Sequence, residues 1–470
     1  MTTAEKWIEA FKKAWDAHAT GPELLAVTRQ AWDEAVTVKK SWETYTMTFA
    51  DGSRMRSGMV EFLPKKTKSA PKPPSAKFAI TYVGRDWDGD PLSKKHIALR
   101  LAQKNRVLWV NSTGIRNPTA SARDVRRAGK KLAQYFRGCR PVSKNISVFS
   151  PLVIPFHGNR VARWVNRKLL TWSLRRACRK LGFQKPITYS FVPSSADVAG
   201  SLGERLVIYH CVDEYSKFTG TNETAILDME RRLMEKADMV VVSSTRLYET
   251  KHGYNPNTFL VTHGVDVAHF SNACQQAVAA PADCAGLKGP VIGFFGLIAD
   301  WVDTEVFRYL ATSRPEWSLL LIGEAQTDTS ALRELSNVHL LGRRSYQSLP
   351  AYCKAFDVAI LPFVVNELTL AANPLKLREY LAAGLPVVAT PLPEILKLNA
   401  LVRMARTPEE FLREIEVLLK EGKRGPDPAV SVLMERESWD QKVEELSEII
   451  TGLNGDGQRR RRDLPARWAA

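Results

Sequence analysis

From Phe78 onward, short apolar runs alternate with longer stretches of helical periodicity, the pattern of parallel sheets covered by helices. Strands are predicted at Ala79–Val83, Val107–Val110, Ile146–Phe149, Ile187–Phe191, Leu206–Tyr209, Met239–Val242 and Phe259–Val261. A polar, alanine-rich break over Ser271–Gly289 precedes a second series at Val291–Phe295, Ser318–Ile322, Val338–Leu341, Val358–Pro362 and Pro386–Ala389. The fold class is therefore α/β, with two open Rossmann-like domains, residues 76–275 and 285–427, facing a cleft. A last helix is predicted over Glu437–Leu453, with Trp439 near its start, inside a closing segment 428–454.

Residues 1–75 read differently and form an appendage. Helices are predicted over Glu5–His18 and Pro22–Trp42, then a hairpin over Tyr45–Phe62 turning at Ala50–Ser53. A proline- and lysine-rich linker, Pro64–Pro74, joins it to the rest. At the other end, Gly455–Arg462 opens a basic tail, 455–470, that is expected to be disordered.

Composition adds little to this picture, but charge does. The 470 residues carry a formal charge of +17, and the segment Arg123–Lys180 holds 16 Lys or Arg against the single acid Asp124. A nucleic-acid surface and a patch facing anionic lipids or phosphate-bearing acceptors both fit such a run. No nucleic-acid-binding motif accompanies it, which favours the second. Within it, Val161, Trp164, Val165, Leu169 and Trp172 share one helical face, with Arg160, Arg163 and Arg167 turned away. Basic residues drift onto the apolar side after Trp172, so the helix is expected to kink or divide there. The start of the chain has no basic-then-apolar leader pattern and no apolar run long enough to span a bilayer, which points to a cytoplasmic protein. The six cysteines are scattered without a Cys-x-x-Cys pair, so neither a zinc site nor a disulfide framework is indicated.

The segment richest in chemistry is Asn373–Thr390 (NPLKLREYLAAGLPVVAT). Asn373 is predicted as the N-cap and Pro374 as the first helical residue. Because the helix follows the strand Val358–Pro362, its N-terminus should open at the carboxyl edge of the sheet, where ligands bind in such folds. Free backbone N–H groups and the helix dipole there favour a phosphate, and Lys376 adds a full charge. Glu379, about 4.5 Å further along the axis, is placed to accept hydrogen bonds from a ribose. The same residues also read as a capped surface helix with an i, i+3 ion pair.

This segment resembles the Pro-x-Lys-x-x-Glu-Tyr-x-Ala-x-Gly-x-Pro-Val-Val signature of bacterial glycosyltransferases of the GT-B fold. The resemblance is to family 4-like and teichuronic-acid or exopolysaccharide transferases, and it extends over residues 78–453. Gly293–Asp303 resembles the first strand and loop of their nucleotide-binding domain, His263–Asp266 the turn closing the first domain, and Asn337–Gly342 with Leu349–Tyr352 the flanks of the base pocket. The resemblance implies a nucleotide diphosphate-sugar as co-substrate, held by Gly296, Trp301, Asn373, Pro374, Lys376 and Glu379. It also implies a final helix that crosses back to the first domain. Two departures stand out. Family 4 retaining enzymes carry a Glu eight residues before the ribose-binding Glu, where this chain has Ala371, with Glu367 at another spacing. Their usual Arg and Lys have no counterpart near Trp301, so retaining stereochemistry does not carry over.

On the first domain, Gly84–Asp88 and Tyr209–Tyr215 follow strands and should face the cleft. Asp213, then Asp86 or His210, could take the proton of an acceptor hydroxyl, although each also fits a loop-stabilising hydrogen bond. No catalytic metal and no other cofactor is anticipated; leaving-group charge is expected to fall on Lys376 and helix dipoles instead. The expected activity is sugar transfer to a cell-envelope or exopolysaccharide acceptor, plausibly lipid-linked, at an anionic membrane surface and without nucleic acid. A sugar-nucleotide epimerase and a non-catalytic sugar-nucleotide sensor or scaffold are the alternatives.

Overall fold

The computed structural model describes residues 78–84, 87–111, 137–152 and 160–453, the strands 37–41, 44–48 and 54–57, and the single residues 10 and 135. The chain divides into two compact units, Met1–Ser75 and Ala76–Ala470. The first unit contains an antiparallel sheet of β1 (Thr37–Ser41), β2 (Thr44–Thr48) and β3 (Arg54–Ser57), in that order. Strands β2 and β3 form the expected hairpin, with Met47 opposite Met55. The predicted helix over Pro22–Trp42 is corrected at its end, because Thr37–Ser41 pairs in full register with β2. Alternation around Val38, with Thr37 beside it, suits a pleated surface better than a helix. The helix over Glu5–His18 apart from residue 10, the linker Pro64–Pro74 and the tail 455–470 lie outside the described residues.

The second unit is built on two sheets. The first lobe carries eight strands: β4 (Ala79–Val83), β5 (Arg106–Val110), β6 (Arg140–Ser143), β7 (Ile146–Phe149), β8 (Ile187–Ser190), β9 (Leu206–Cys211), β10 (Met239–Val242) and β11 (Thr258–Leu260). Their order is β11-β10-β9-β8-β4-β5-β7-β6, parallel except for the edge pair β6–β7. The second lobe carries β12 (Val291–Phe295), β13 (Ser318–Ile322), β14 (Val338–Gly342), β15 (Val358–Leu361), β16 (Val387–Ala389) and β17 (Val402–Met404). Its order, β14-β13-β12-β15-β16-β17, is the doubly wound arrangement that opens a crevice beyond the carboxyl ends of β12 and β15. Both sheets are covered on two faces, so strands such as Met239-Val240-Val241-Val242 and Leu319-Leu320-Leu321 are buried throughout.

The helices that position the cleft are α1 (Ser93–Lys104), α2 (Arg160–Lys180), α3 (Glu223–Lys236), α4 (Thr245–Lys251), α5 (Thr304–Ser313), α6 (Glu367–Ala371), α7 (Leu375–Ala382), α8 (Pro408–Lys420) and α9 (Trp439–Leu453). The helix does not divide after Trp172; α2 runs unbroken for 21 residues. Its buried side is Asn166, Ser173, Leu174, Ala177 and Cys178, while Trp164 and Trp172 stand 62% and 52% exposed. The helix therefore leaves the two tryptophans outside the core, and the drift of basic residues toward them needs no break.

Helix α9 returns to the first lobe. Trp439, Val443, Leu446, Ile449, Ile450 and Leu453 join that lobe's core, and Val265 bridges Ser438 in parallel. The crossing is close: a Cβ on Gly264 would sit 2.8 Å from the Trp439 Cα and N.

Candidate active site

Two backbone turns form the floor of the second lobe's crevice. At the end of β12, Gly296 has φ +154°, and at the end of β13, Gly323 has φ +152°. A Cβ on Gly323 would lie 1.7 Å from the Gly296 carbonyl oxygen, so only glycine lets these turns meet. Helix α7 is tied to the same edge by Tyr380, whose hydroxyl accepts from Phe295 N at 2.8 Å and donates to Phe295 O at 3.2 Å.

Helix α7 begins at Leu375, so Pro374, with φ −66° and ψ 114°, occupies the capping position. The expectation that Asn373 caps the helix is therefore corrected. The Asn373 amide donates to the Ser243 carbonyl at 2.7 Å and accepts from the Arg378 guanidinium at 2.6 Å. It spans the two lobes because a buried amide needs both of its ends satisfied and a donor and an acceptor lie on either side. With no side chain capping the helix, its first N–H groups remain directed at the crevice.

Lys376 and Glu379 come together as their spacing implies. Lys376 Nζ donates to Glu379 Oε2 at 2.7 Å and lies 4.8 Å above the Phe295 ring. Its Cε comes within 3.7 Å of where a Cβ on Gly296 would be. The Glu379 side chain is 8% exposed and that of Lys376 25%, so the pair is a lined corner of the crevice rather than a solvated surface contact. Gly296, Pro374, Lys376 and Glu379 thus converge on one edge. The Trp301 ring lies 6.2 Å from that of Phe218 on the first lobe in an edge-to-face pair.

Ala371 is 3% exposed and packs with the first lobe's core, its carbonyl accepting from Ser244 Oγ at 2.6 Å. Glu367 is 73% exposed and paired with Lys217 at 2.6 Å, at the cleft mouth. A cavity of about 410 Å³ opens there between Lys217, Thr219, Asp300, Asn366, Glu367 and Leu368. Glu367 is held there by Lys217, which keeps its carboxyl below the usual range.

On the first lobe, Asp213 is half-buried just beyond β9, its carbonyl accepting from Cys211 Sγ at 3.4 Å. Asp86 lies outside the described residues. His210 is 1% exposed, stacks on Phe191 with centroids 4.8 Å apart, and shares a 2.9 Å hydrogen bond with the Tyr189 hydroxyl through Nδ1. Burial, assisted by Lys94, pushes its pKa down to about 3. His210 is therefore a neutral imidazole near neutral pH and a poor proton acceptor there.

Three further residues were not among the site residues expected from the sequence. Lys94, in the first turn of α1, donates to the Tyr215 hydroxyl at 3.0 Å. His263 is 5% exposed beside Trp439, and Arg378 reaches from α7 to Glu437 at 3.1 Å. Lys94 is one of two lysines opening α1, and only its approach to the Phe191 and Tyr215 rings distinguishes it. Among the described residues, no group of three or more His, Cys, Asp or Glu is arranged to hold a metal ion.

Residues 289–421 match the family described as glycosyl transferases group 1. Over 209 residues the chain is 30% identical to a Bacillus subtilis (strain 168) protein named as a teichuronic acid biosynthesis glycosyltransferase, TuaH. That alignment covers 41% of this chain and 52% of TuaH, so the chain matches about half the length of its curated relative. Among solved structures, sucrose-phosphate synthase from Thermosynechococcus elongatus aligns over 80% of this chain and 99% of its own, with TM-score 0.56 and 16% identity. Anabaena Alr3699/HepE in complex with UDP-glucose aligns over 80% and 100%, with TM-score 0.57 and 14% identity. The GT-B arrangement expected from the sequence is the one these likenesses share.

Proposed function

We propose, from the premise that the second lobe is of the group 1 glycosyltransferase kind, that the chain moves a sugar from a nucleotide diphosphate-sugar to a cell-envelope or exopolysaccharide acceptor. The observation that carries this reading is the Lys376–Glu379 pair at the open end of α7, against the Gly296 turn. When donor enters, Lys376 exchanges Glu379 for the diphosphate and Glu379 turns to the ribose hydroxyls. Charge developing on the leaving diphosphate then falls on Lys376 and the α7 N–H groups, with no metal or cofactor. HepE is named in complex with UDP-glucose, which supports a nucleotide-sugar donor. TuaH is named for teichuronic acid biosynthesis, which supports an envelope polymer as product.

For the acceptor proton, Asp213, half-buried just beyond β9, remains the group favoured in this reading, since His210 is held as a neutral ring in the core. The acceptor is lipid-linked in this reading, and the protein works at the cytoplasmic face of an anionic membrane. The exposed Trp164 and Trp172 on α2 support that placement. They are interleaved with Lys168, Arg175, Arg176 and Arg179, the composition of a helix lying at a lipid headgroup boundary. No helix among the described residues is long and apolar enough to cross a membrane.

Calorimetric titration with nucleoside diphosphates tests the donor site. Lys376→Ala should weaken binding by roughly 1.5–3 kcal/mol, about ten- to hundred-fold. Glu379→Gln should abolish the preference for ribose over 2′-deoxyribose ligands. Unchanged affinity in both folded variants would remove the donor site.

A further inference from the structure

The buried lysine at the end of α4 has no part in the proposed chemistry, yet every residue it grips leads to the cleft. Lys251 Nζ lies 2.7 Å from Glu230 Oε2, and 3.2 Å and 2.9 Å from the two carboxylate oxygens of Glu214. Glu230, on α3, also accepts through Oε1 from the Tyr209 hydroxyl at 2.6 Å and the Cys211 thiol at 3.4 Å. Glu214 Oε1 accepts in addition from Ser216 Oγ at 2.9 Å. All three ionic side chains are withdrawn from water, Glu214 being the most open at 13%.

Taking two carboxylates and one ammonium out of water is costly and adds little net stability. Glu230 and Lys251 would make a closed pair by themselves, with β9 supplying the remaining donors. What Glu214 adds is a hold on the loop beyond β9, where it directly follows Asp213. With both of its oxygens on one ammonium, it fixes the loop on that side of Asp213. On the other side, the Val212 carbonyl accepts from Ser243 Oγ at 3.0 Å. Asp213 therefore stands between two residues that are both fastened to the segment Ser243–Lys251.

That segment is itself fastened to the second lobe, just ahead of α7. The Ser243 carbonyl accepts from Asn373 at 2.7 Å, and Ser244 Oγ donates to the Ala371 carbonyl at 2.6 Å. From Ser244, which caps it, α4 runs seven residues to Lys251. The far end of the Asp213 loop meets the second lobe as well. Lys217 pairs with Glu367 at 2.6 Å, Phe218 packs on Trp301, and the Thr219 hydroxyl donates to Asp300. The loop is thus referenced to the second lobe at both ends, and Lys251 is its inner anchor.

We propose that Lys251 is a positioning residue that, through Glu214, sets where Asp213 stands relative to a donor on α7. It rests on the reading of Asp213 as the group that takes the acceptor's proton.

Hydrogen exchange of the full chain reads the place of the loop. In Lys251→Met, amides of Asp213–Thr221 should exchange about tenfold faster than in wild type, while β8, β9 and β10 keep their protection. Glu214→Ala, which spares the Lys251–Glu230 pair, should loosen the same amides, and it carries the test alone if Lys251→Met does not fold. Wild-type exchange in the loop overturns the proposal. So does an equal loss across β8, β9 and β10, since the lysine then only stabilises the lobe. Turnover of UDP-glucose with a membrane lipid extract as acceptor source gives the second readout. Lys251→Met should lower kcat by about ten- to hundred-fold and leave the KM for UDP-glucose unchanged, because Lys376 and Glu379 are untouched. A raised KM with kcat kept overturns the positioning role. Where wild type leaves UDP-glucose intact, the exchange comparison alone decides. The two readings fail separately. Asp213→Asn at the wild-type rate, with the loop loosened in Lys251→Met, removes the base and keeps the anchor. An inactive Asp213→Asn beside a Lys251→Met of wild-type rate and exchange does the reverse.

Discussion

The two walls of the cleft solve the problem of holding polar groups in different ways. In the second lobe, Lys376 and Glu379 satisfy each other at 2.7 Å beside the Gly296 turn and remain partly open to solvent. In the first lobe, His96, His210 and His263 are buried as neutral rings, packed on Trp439, Phe191 and Tyr346. An ion pair that exchanges partners can receive a charged ligand at little cost in folding. A buried neutral imidazole stabilises the lobe only while it stays unprotonated, so the first lobe should be the acid-sensitive one.

That contrast gives the largest expected effect. Burial, before any neighbouring charge, brings His96 and His210 each down to about 3. Their folded-state values lie below the unfolded value, so the unfolded chain binds more protons below about pH 6.5. The stability these rings contribute is complete above about pH 6.5 and is lost as pH falls toward 3. At about 1.4 kcal/mol per pH unit for each ring, the two together should cost roughly 4 kcal/mol by pH 5. Hydrogen exchange at falling pH should show β8, β9 and β10 losing protection before β12, β13 and β15. Equal loss in both sheets would break the distinction between the walls.

Glycine contacts sharpen the comparison from the other side. The second lobe's crevice depends on the approach of Gly323 to the Gly296 carbonyl, where a Cβ would stand 1.7 Å away and φ is +152°. Gly323→Ala should therefore destabilise that lobe by about 3 kcal/mol through overpacking and backbone strain, and should weaken nucleotide binding with it. Chemical denaturation and calorimetry of the variant check both. Wild-type stability would mean that the turns can separate without harm.

The same contrast explains what the sequence makes legible. All twelve predicted strands of the two lobes are present within two residues, because strands covered on both faces appear as unbroken apolar runs. Strands β6 and β17 went unseen. Arg140-Pro141-Val142-Ser143 is a largely exposed edge with a proline, and Val402-Arg403-Met404 is three residues long. The Lys376–Glu379 corner was visible because helical spacing brings i and i+3 together without tertiary help. The surroundings of Lys94 and His210 were not, since the two lie more than a hundred residues apart and both reach the Phe191 ring only because the sheet sets β8 beside β9. Asn373 was misjudged as a cap for the same reason: its partners, Ser243 and Arg378, include a residue on the other lobe.

The smallest expected effect concerns the outer surface of the first lobe, where α2 turns Trp164 and Trp172 outward while Leu174 and Ala177 pack inward. If this face rests on lipid, replacing both tryptophans with alanine should leave the fold nearly untouched, because neither ring belongs to the core. Binding to vesicles containing anionic lipid should nonetheless fall by roughly tenfold, about 1.4 kcal/mol, the order expected for losing partly inserted aromatic area. Residual binding should be electrostatic and should vanish as salt rises, since Lys168, Arg175, Arg176 and Arg179 keep their charges. Vesicle sedimentation of the double variant across a salt series separates the two contributions. Binding equal to wild type at every salt concentration would show that the tryptophans serve another contact and would leave charge alone to bring this lobe to a membrane.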